Sequence, residues 1–207
     1  RWRWSGCNGP LAGAQALQLQ CLGPAPLQSK PVMPPSTAEP QLVLLDRPHL
    51  RLGRTRHELP PNAPAAVLAF LGAQGDWVAR ERVMTLLWPD ASEQAAQHHL
   101  RVTLHRARLI AAQWGFGERL QTERRRLRLD LPCDVVAFRQ AVGRADWAQA
   151  VALHAAPLLS SFNVRGFAAF DEWASLEREA LTATWRSAAL RQAAALEGHG
   201  NASAAAA

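Results

Sequence analysis

The sequence predicts an α+β fold, an N-terminal winged helix-turn-helix domain followed by an all-helical one. Three observations carry this. Short strand-like segments occupy the region before residue 53, three helical stretches lie between Asn62 and Trp114, and an arginine-rich hairpin over 120–131 gives way to helices alone. Strands, three helices, then a basic hairpin is the order of a winged helix whose sheet begins at its N-terminus. The 207 residues suit one large domain or two small ones, and 48% apolar against 19% charged residues supplies a packed core.

Residues 1–16 contain Gly6, Gly9, Pro10 and Gly13 and are expected to be a disordered N-terminus. Leu17-Gln18-Leu19-Gln20-Cys21-Leu22 alternates apolar and polar, as a strand with one buried face does. Residues 23–40 read as a proline-rich insertion. Leu42–Leu45 and Leu50–Leu52, split by Asp46-Arg47-Pro48, read as two further short strands or a hairpin.

Three helices follow. Asn62 can cap the first, with Pro64 in its opening turn, a buried face of Val67, Leu68 and Leu71, and an end at Gly72–Gly75. The second is expected over about Ala79–Trp88, with Val83, Leu86 and Leu87 apolar and Pro89 as its stop. Ser92, with Asp90 nearby, can cap the third, which runs to about Trp114 before Gly115. Its seam of Ala96, Leu100, Leu104, Ala107 and Ala111 has the three- and four-residue spacing of a half-buried helix.

Next come Leu120-Gln121-Thr122, a turn around Glu123–Arg125, and the strictly alternating arm Arg126–Leu131, a β-hairpin with arginines along one face. From Asp134 onward the period is helical: Val135–Val142, Trp147–His154, and Phe170–Leu196 with room for one break. Short helices on short loops imply antiparallel pairs. The expected domains are therefore a winged helix over 17–131 and a helical domain over 132–198, with a low-complexity tail over 199–207.

Charge is unevenly distributed. Of 23 basic residues Lys30 is the only lysine, and the formal net charge is +6. Residues 1–130 carry 17 basic and 10 acidic side chains, while residues 131–207 carry 6 and 7. A basic first part and a near-neutral second part suggest a polyanion-binding module joined to one with another task, the alternative being a solvated basic surface. The apolar run Ala65–Leu71 is far short of the roughly 20 residues that cross a bilayer. The opening Arg1-Trp2-Arg3-Trp4 is followed by no apolar stretch of signal-peptide length. Cys7, Cys21 and Cys133 lie far apart without a C-x-x-C spacing, which fits a reducing cytoplasm and neither a disulfide framework nor a zinc site.

Opposite its apolar seam, the third helix carries Gln94, Gln97, His98, Arg101, His105 and Arg108, with Thr103 and Arg106 at the sides. A helix fits the major groove, where Arg bonds guanine bidentately and Gln reads adenine, and Arg or His also neutralises phosphate. An ordinary solvated helix face would look the same in isolation. The hairpin adds Arg124, Arg125, Arg126 and Arg128 a few residues further on, where a wing can follow the backbone or enter the minor groove. Consecutive arginines at a tight turn repel one another unless an anion is present, although a solvated turn remains the alternative.

No catalytic set emerges, so the chain reads as a non-enzyme with no cofactor and no metal. His98 and His99 are adjacent on a helix and point about 100° apart, unlike i, i+4 chelating histidines. His105 has no acidic or sulfur partner at useful spacing. There is no G-x-S-x-G, H-E-x-x-H or P-loop, and Gly115-Phe116-Gly117 lacks a third glycine and a βαβ setting. Asp171, Glu172, Glu177 and Glu179 beside Arg178 read as an exposed charged face. Trp88 is expected to fill core between helices, and Trp147, Phe162, Phe167, Phe170 and Trp173 to anchor helix packing, the alternative being part of a groove for a partner segment.

One ordered series of motifs points further. Leu86-Leu87-Trp88-Pro89-Asp90-Ala91, then Ala95-Ala96-x-x-x-Leu100-Arg101-x-x-Leu104-x-Arg106-Ala107-Arg108, then the hairpin and Cys133-Asp134-Val135-x-x-Phe138, resembles the SARP-type (antibiotic regulatory protein) bacterial transcriptional activators. The continuation Ala145-Asp146-Trp147-x-x-Ala150-Val151-x-Leu153, Leu158-Leu159-x-x-Phe162 and Phe170-x-x-Trp173-x-x-x-Glu177-Arg178-x-x-Leu181 is similar to the start of that family's activator domain. The resemblance covers about residues 17–196. It implies an OmpR-like winged helix joined to tetratricopeptide-like helical pairs, promoter DNA and RNA polymerase as partners, and self-association on tandem sites. It places the recognition helix at about Ser92–Gln113 and the wing at about Leu120–Leu131. The chain departs from the family in His98-His99, where asparagines are common, in the insertion over 23–40, and in helical pairs that stop early. A sequence-specific DNA-binding regulator is thus the leading expectation. A protein-interaction adaptor, in which the winged helix is only structural, is the competing one.

Overall fold

The computed structural model describes residues 39–198, and these belong to one compact unit. The expected disordered segment 1–16, the strand at Leu17–Leu22, nearly all of the insertion 23–40 and the tail 199–207 lie outside the described residues. What remains begins with a three-stranded antiparallel sheet of β1 (Gln41–Val43), β2 (His49–Leu52) and β3 (Thr55–Glu58), in that order. The two apolar segments form β1 and β2 as expected. The third strand, Thr-Arg-His-Glu, has no alternation to announce it and forms because the Gly53 turn folds it back on β2, with Arg51 opposite Arg56.

Helix α1 (Ala63–Gln74) starts where expected. Asn62 accepts a hydrogen bond from the Ala65 N–H at 3.0 Å, and Gly75 closes the helix in a left-handed conformation. The expectation of a single buried face needs correction, since every residue from Pro64 to Ala73 is buried. The third helix, the second arm of the hairpin and the helix over Asp134–Gly143 pack around α1, so an alanine-rich sequence with no polar stripe is what its position requires. Gly72 lies so close to Leu42 of β1 that a β-carbon there would fall 2.2 Å from the leucine Cδ2.

The two-residue strand β4 (Val78–Ala79) leads into α2 (Arg80–Leu87). The turn Trp88–Ser92 leads to α3 (Glu93–Gln113), whose cap Ser92 accepts from the Ala95 N–H at 3.3 Å. All five residues of the expected α3 seam are buried, and Thr103, expected at the side, is buried with them. A 3₁₀ turn at Gly117–Arg119 precedes β5 (Leu120–Thr122) and β6 (Arg126–Leu129), which complete a second sheet ordered β4-β6-β5.

The helical part comprises α4 (Asp134–Gly143), α5 (Trp147–Leu153) and α6 (Ala168–Gly198). The possible break in the last helix is absent: α6 runs unbroken for 31 residues, about 46 Å. The connection from α5 to α6 is also longer than the short loop expected. It returns to the first sheet, where Leu159 N–H donates to the Leu44 carbonyl at 2.8 Å and Leu158 bridges to Leu45. The same edge receives Asp134, which accepts from the Leu44 and Leu45 N–H groups at 2.8–3.0 Å. The helices are thereby bound to the backbone just after β1. Glu177 is no part of an exposed charged face either, because it pairs with Arg139, which also donates to the Ala73 carbonyl at the end of α1.

Candidate nucleic-acid interface

Burial of its seam turns the opposite face of α3 outward. Gln94, Gln97, His98, Arg101, His105 and Arg108 are all exposed. Because β6 pairs with β4, and β4 runs straight into α2, the turn of the β5–β6 hairpin is held beside the first residue of α2. Between the turn, α2 and the N-terminal half of α3 lies an open cleft of about 720 Å³, lined by Arg80, Gln94, Gln97, His98, Arg101 and Arg124 with Glu81 as its one acid. Helix face and hairpin form a continuous surface. At the turn end of β5 the Arg108 guanidinium donates to the Thr122 hydroxyl, joining helix and hairpin directly.

The expected site residues do not all stand alike. Gln94 lines the cleft, and no hydrogen bond ties its side chain to another residue among those described. Gln97 donates to Glu93 at 3.0 Å, and Arg101 donates to His98 Nδ1 at 3.2 Å, so each is held along the helix. His105 is exposed near the middle of the helix, outside the cleft lining. His98 and His99 rings meet edge to face at 6.2 Å, and His99 lies 5.6 Å from Trp88, which packs on Phe167. Among the described residues, no three His, Cys, Asp or Glu side chains gather where a metal could sit.

The hairpin's four arginines divide sharply. Arg126 is drawn to Glu123 at 2.6 Å and lies over the Trp77 ring at 4.5 Å. Its hydrogen bond holds the Glu123 carboxyl below the usual range for glutamate. Arg128 turns to Asp130 at 3.1 Å, and its Nε is buried without a hydrogen-bond partner among the described residues. Arg124 and Arg125 form no ion pair among the described residues, and Arg124 is exposed and lines the cleft.

Two contributors escaped the sequence reading, Arg80 and Trp77. Arg80 opens α2, and its backbone N–H donates to the Arg125 carbonyl at 2.9 Å while its Nε donates to the Glu123 carbonyl at 3.1 Å. Both depend on β4, whose two residues are too few for any periodicity to reveal.

Away from this surface, burial is the main force on three titratable groups. It pushes the Cys133 thiol up, and it also raises Asp134, against three backbone N–H groups that favour the carboxylate. Desolvation lowers His154, whose ring stacks on Trp185 at 5.6 Å.

This topology, a region with two small antiparallel sheets followed by a helical region, is consistent with a winged helix joined to a helical domain. The solved structure of Mycobacterium tuberculosis EmbR, in complex with a low-affinity phosphopeptide, shares it: the TM-score is 0.57 at 21% identity over 80% of this chain and 48% of the EmbR chain. This chain therefore spans about half the length of EmbR, and the likeness is one of fold. No protein-family model and no curated protein matches the sequence. No helix of the described residues is long and apolar enough to cross a membrane.

Proposed function

We propose that this protein is a sequence-specific DNA-binding transcription regulator. The observation that carries the reading is the cationic cleft, where Arg80, Arg101 and Arg124 converge from three elements around exposed glutamines on α3. In a duplex complex the α3 face lies in the major groove, with Arg101, His105 and Arg108, helped by Gln94, Gln97 and His98, over base edges and phosphates. Arg124 and Arg125 meet the backbone or the adjacent minor groove. The mechanism is binding without covalent chemistry. Phosphate neutralisation supplies affinity, and base contacts supply selectivity of about 1–3 kcal/mol per good bidentate pair.

The finer reading rests on the motif series that resembles SARP-type activators and on the fold shared with EmbR. It takes residues 17–131 as the winged helix and 132–198 as tetratricopeptide-like pairs. Promoter DNA is then the primary partner in the cytoplasm, the helices contact RNA polymerase, and copies associate on tandem sites. One observation also favours a protein partner for the helices: Leu176 and Leu190 of α6 are 62% and 73% exposed.

Selection of bound fragments from a random duplex pool tests the reading. Wild-type protein is expected to enrich a defined motif, and Arg101→Ala to enrich a motif altered at one position. Equal loss across all sequences would strip Arg101 of its base-reading role. Absence of any retained duplex at low salt would favour the adaptor.

A further inference from the structure

We propose that Trp77, Arg80, Glu123 and Arg126 form a clamp that fixes the wing turn against the start of α2 and so presents Arg124 and Arg125 to the duplex. The clamp rests on the DNA-binding reading of this surface and changes the roles within it: Arg126 positions the wing, and Trp77, which no sequence pattern singled out, supports it.

The physical need is clear from the turn itself. Three successive arginines repel one another, and a hairpin of three- and four-residue strands is marginal without added contacts. The clamp answers both. Arg126 is held between a carboxylate at 2.6 Å and an indole face at 4.5 Å, within the range of an attractive cation–π contact. Its charge is thereby neutralised next to Arg124 and Arg125. Arg80 then fixes the backbone, bonding the Glu123 carbonyl with its side chain and the Arg125 carbonyl with its N–H. These two carbonyls bracket Arg124, whose side chain lines the cleft with Gln94 and Arg101. An acid in an arginine turn facing a polyanion would otherwise only weaken binding.

Two variants of the full chain separate the clamp from a simple counter-charge. Trp77→Leu leaves the formal charge unchanged, and Glu123→Gln makes it more positive by one. Binding of a mixed-sequence duplex is followed by fluorescence anisotropy across a salt series. Tryptic cleavage of the native protein after Arg124 and Arg125 is followed by mass spectrometry, with the exposed Arg54 as internal reference. The clamp predicts that both variants are cut about tenfold faster at the wing and unchanged at Arg54. Both are expected to bind DNA more weakly with a shallower salt dependence, while Trp77→Phe stays near wild type. Tighter binding by Glu123→Gln with wild-type cleavage would overturn the clamp, as would unaltered cleavage in both variants. Should Trp77→Leu raise cleavage at Arg54 equally, its fold is lost, and Glu123→Gln with Trp77→Phe decides. Faster wing cleavage in variants of a protein that binds no duplex would uphold the clamp and remove the DNA-binding reading.

Discussion

At the scale of single residues, side chains of one type are given unlike environments. Among the described residues Arg124 and Arg125 form no ion pair with an acid, while Arg126 and Arg128 are each paired with one, although all four stand within five positions. Asp134 shows the same principle in the interior. It is only 6% exposed, and it accepts from the N–H groups of Leu44, Leu45 and Val135. Replacing it with alanine is expected to lower stability by about 2–4 kcal/mol, because those three donors would be left unpaired in a dry environment. Chemical denaturation measures this, and an effect below about 1 kcal/mol would show that water reaches them. His154 carries a pH dependence. Its folded-state pKa lies below the ordinary 6.5, so the neutral ring stabilises the fold above that value and the contribution is lost as pH falls through the lowered one. Thermal midpoints should therefore drop between about pH 7 and pH 5, and the drop should be smaller in His154→Phe.

At the scale of elements, helix ends and glycines set the geometry that holds the site. Gly75 adopts φ +69, and a β-carbon there would sit 2.6 Å from Val136 Cγ2 of α4. Gly75→Ala is expected to cost about 1–2 kcal/mol for the left-handed backbone alone, with more from the clash; a thermal midpoint equal to wild type would refute this. These signals were legible in the sequence: Asn62 and Ser92 as caps, Gly75 as a stop, the α3 seam, and the alternation of Arg126–Leu129. What escaped had a common cause. The strands β3 and β4 are short and polar or only two residues long, and form through pairing with partners distant in the chain or across a turn. The last helix was legible as Phe170–Leu196, and the structure gives it as Ala168–Gly198 without the break; the return of the preceding residues to Leu44 and Leu45 was not, because it rests on contacts distant in the chain. The exposed polar face of α3 could be read from that helix by itself. That the cleft needs Arg80, and that Trp77 stands under the wing, required the pairing of β4 with β6.

Across the described residues, the part that carries the two sheets and the helical part that follows it are built as one body. Pro132 accepts from the Leu42 N–H at 2.8 Å, Asp134 and Leu159 bond to the segment just after it, and Arg139 ties α1 to α6 through Glu177. A single unfolding transition is expected by both fluorescence and circular dichroism; two resolved transitions would mean that the contacts along β1 are weak. The cationic surface lies where α2, α3 and the turn of the β5–β6 hairpin meet. The measurement that tests its role most directly is the salt dependence of duplex binding in wild type and in Arg124→Ala/Arg125→Ala. The wild-type protein is expected to bind at about 50 mM salt with log K falling linearly in log salt concentration, and the double variant to show a slope shallower by about 1.8, the release expected from two phosphate contacts. Identical slopes, or no binding by wild type at that salt concentration, would contradict the assignment of this surface to nucleic acid.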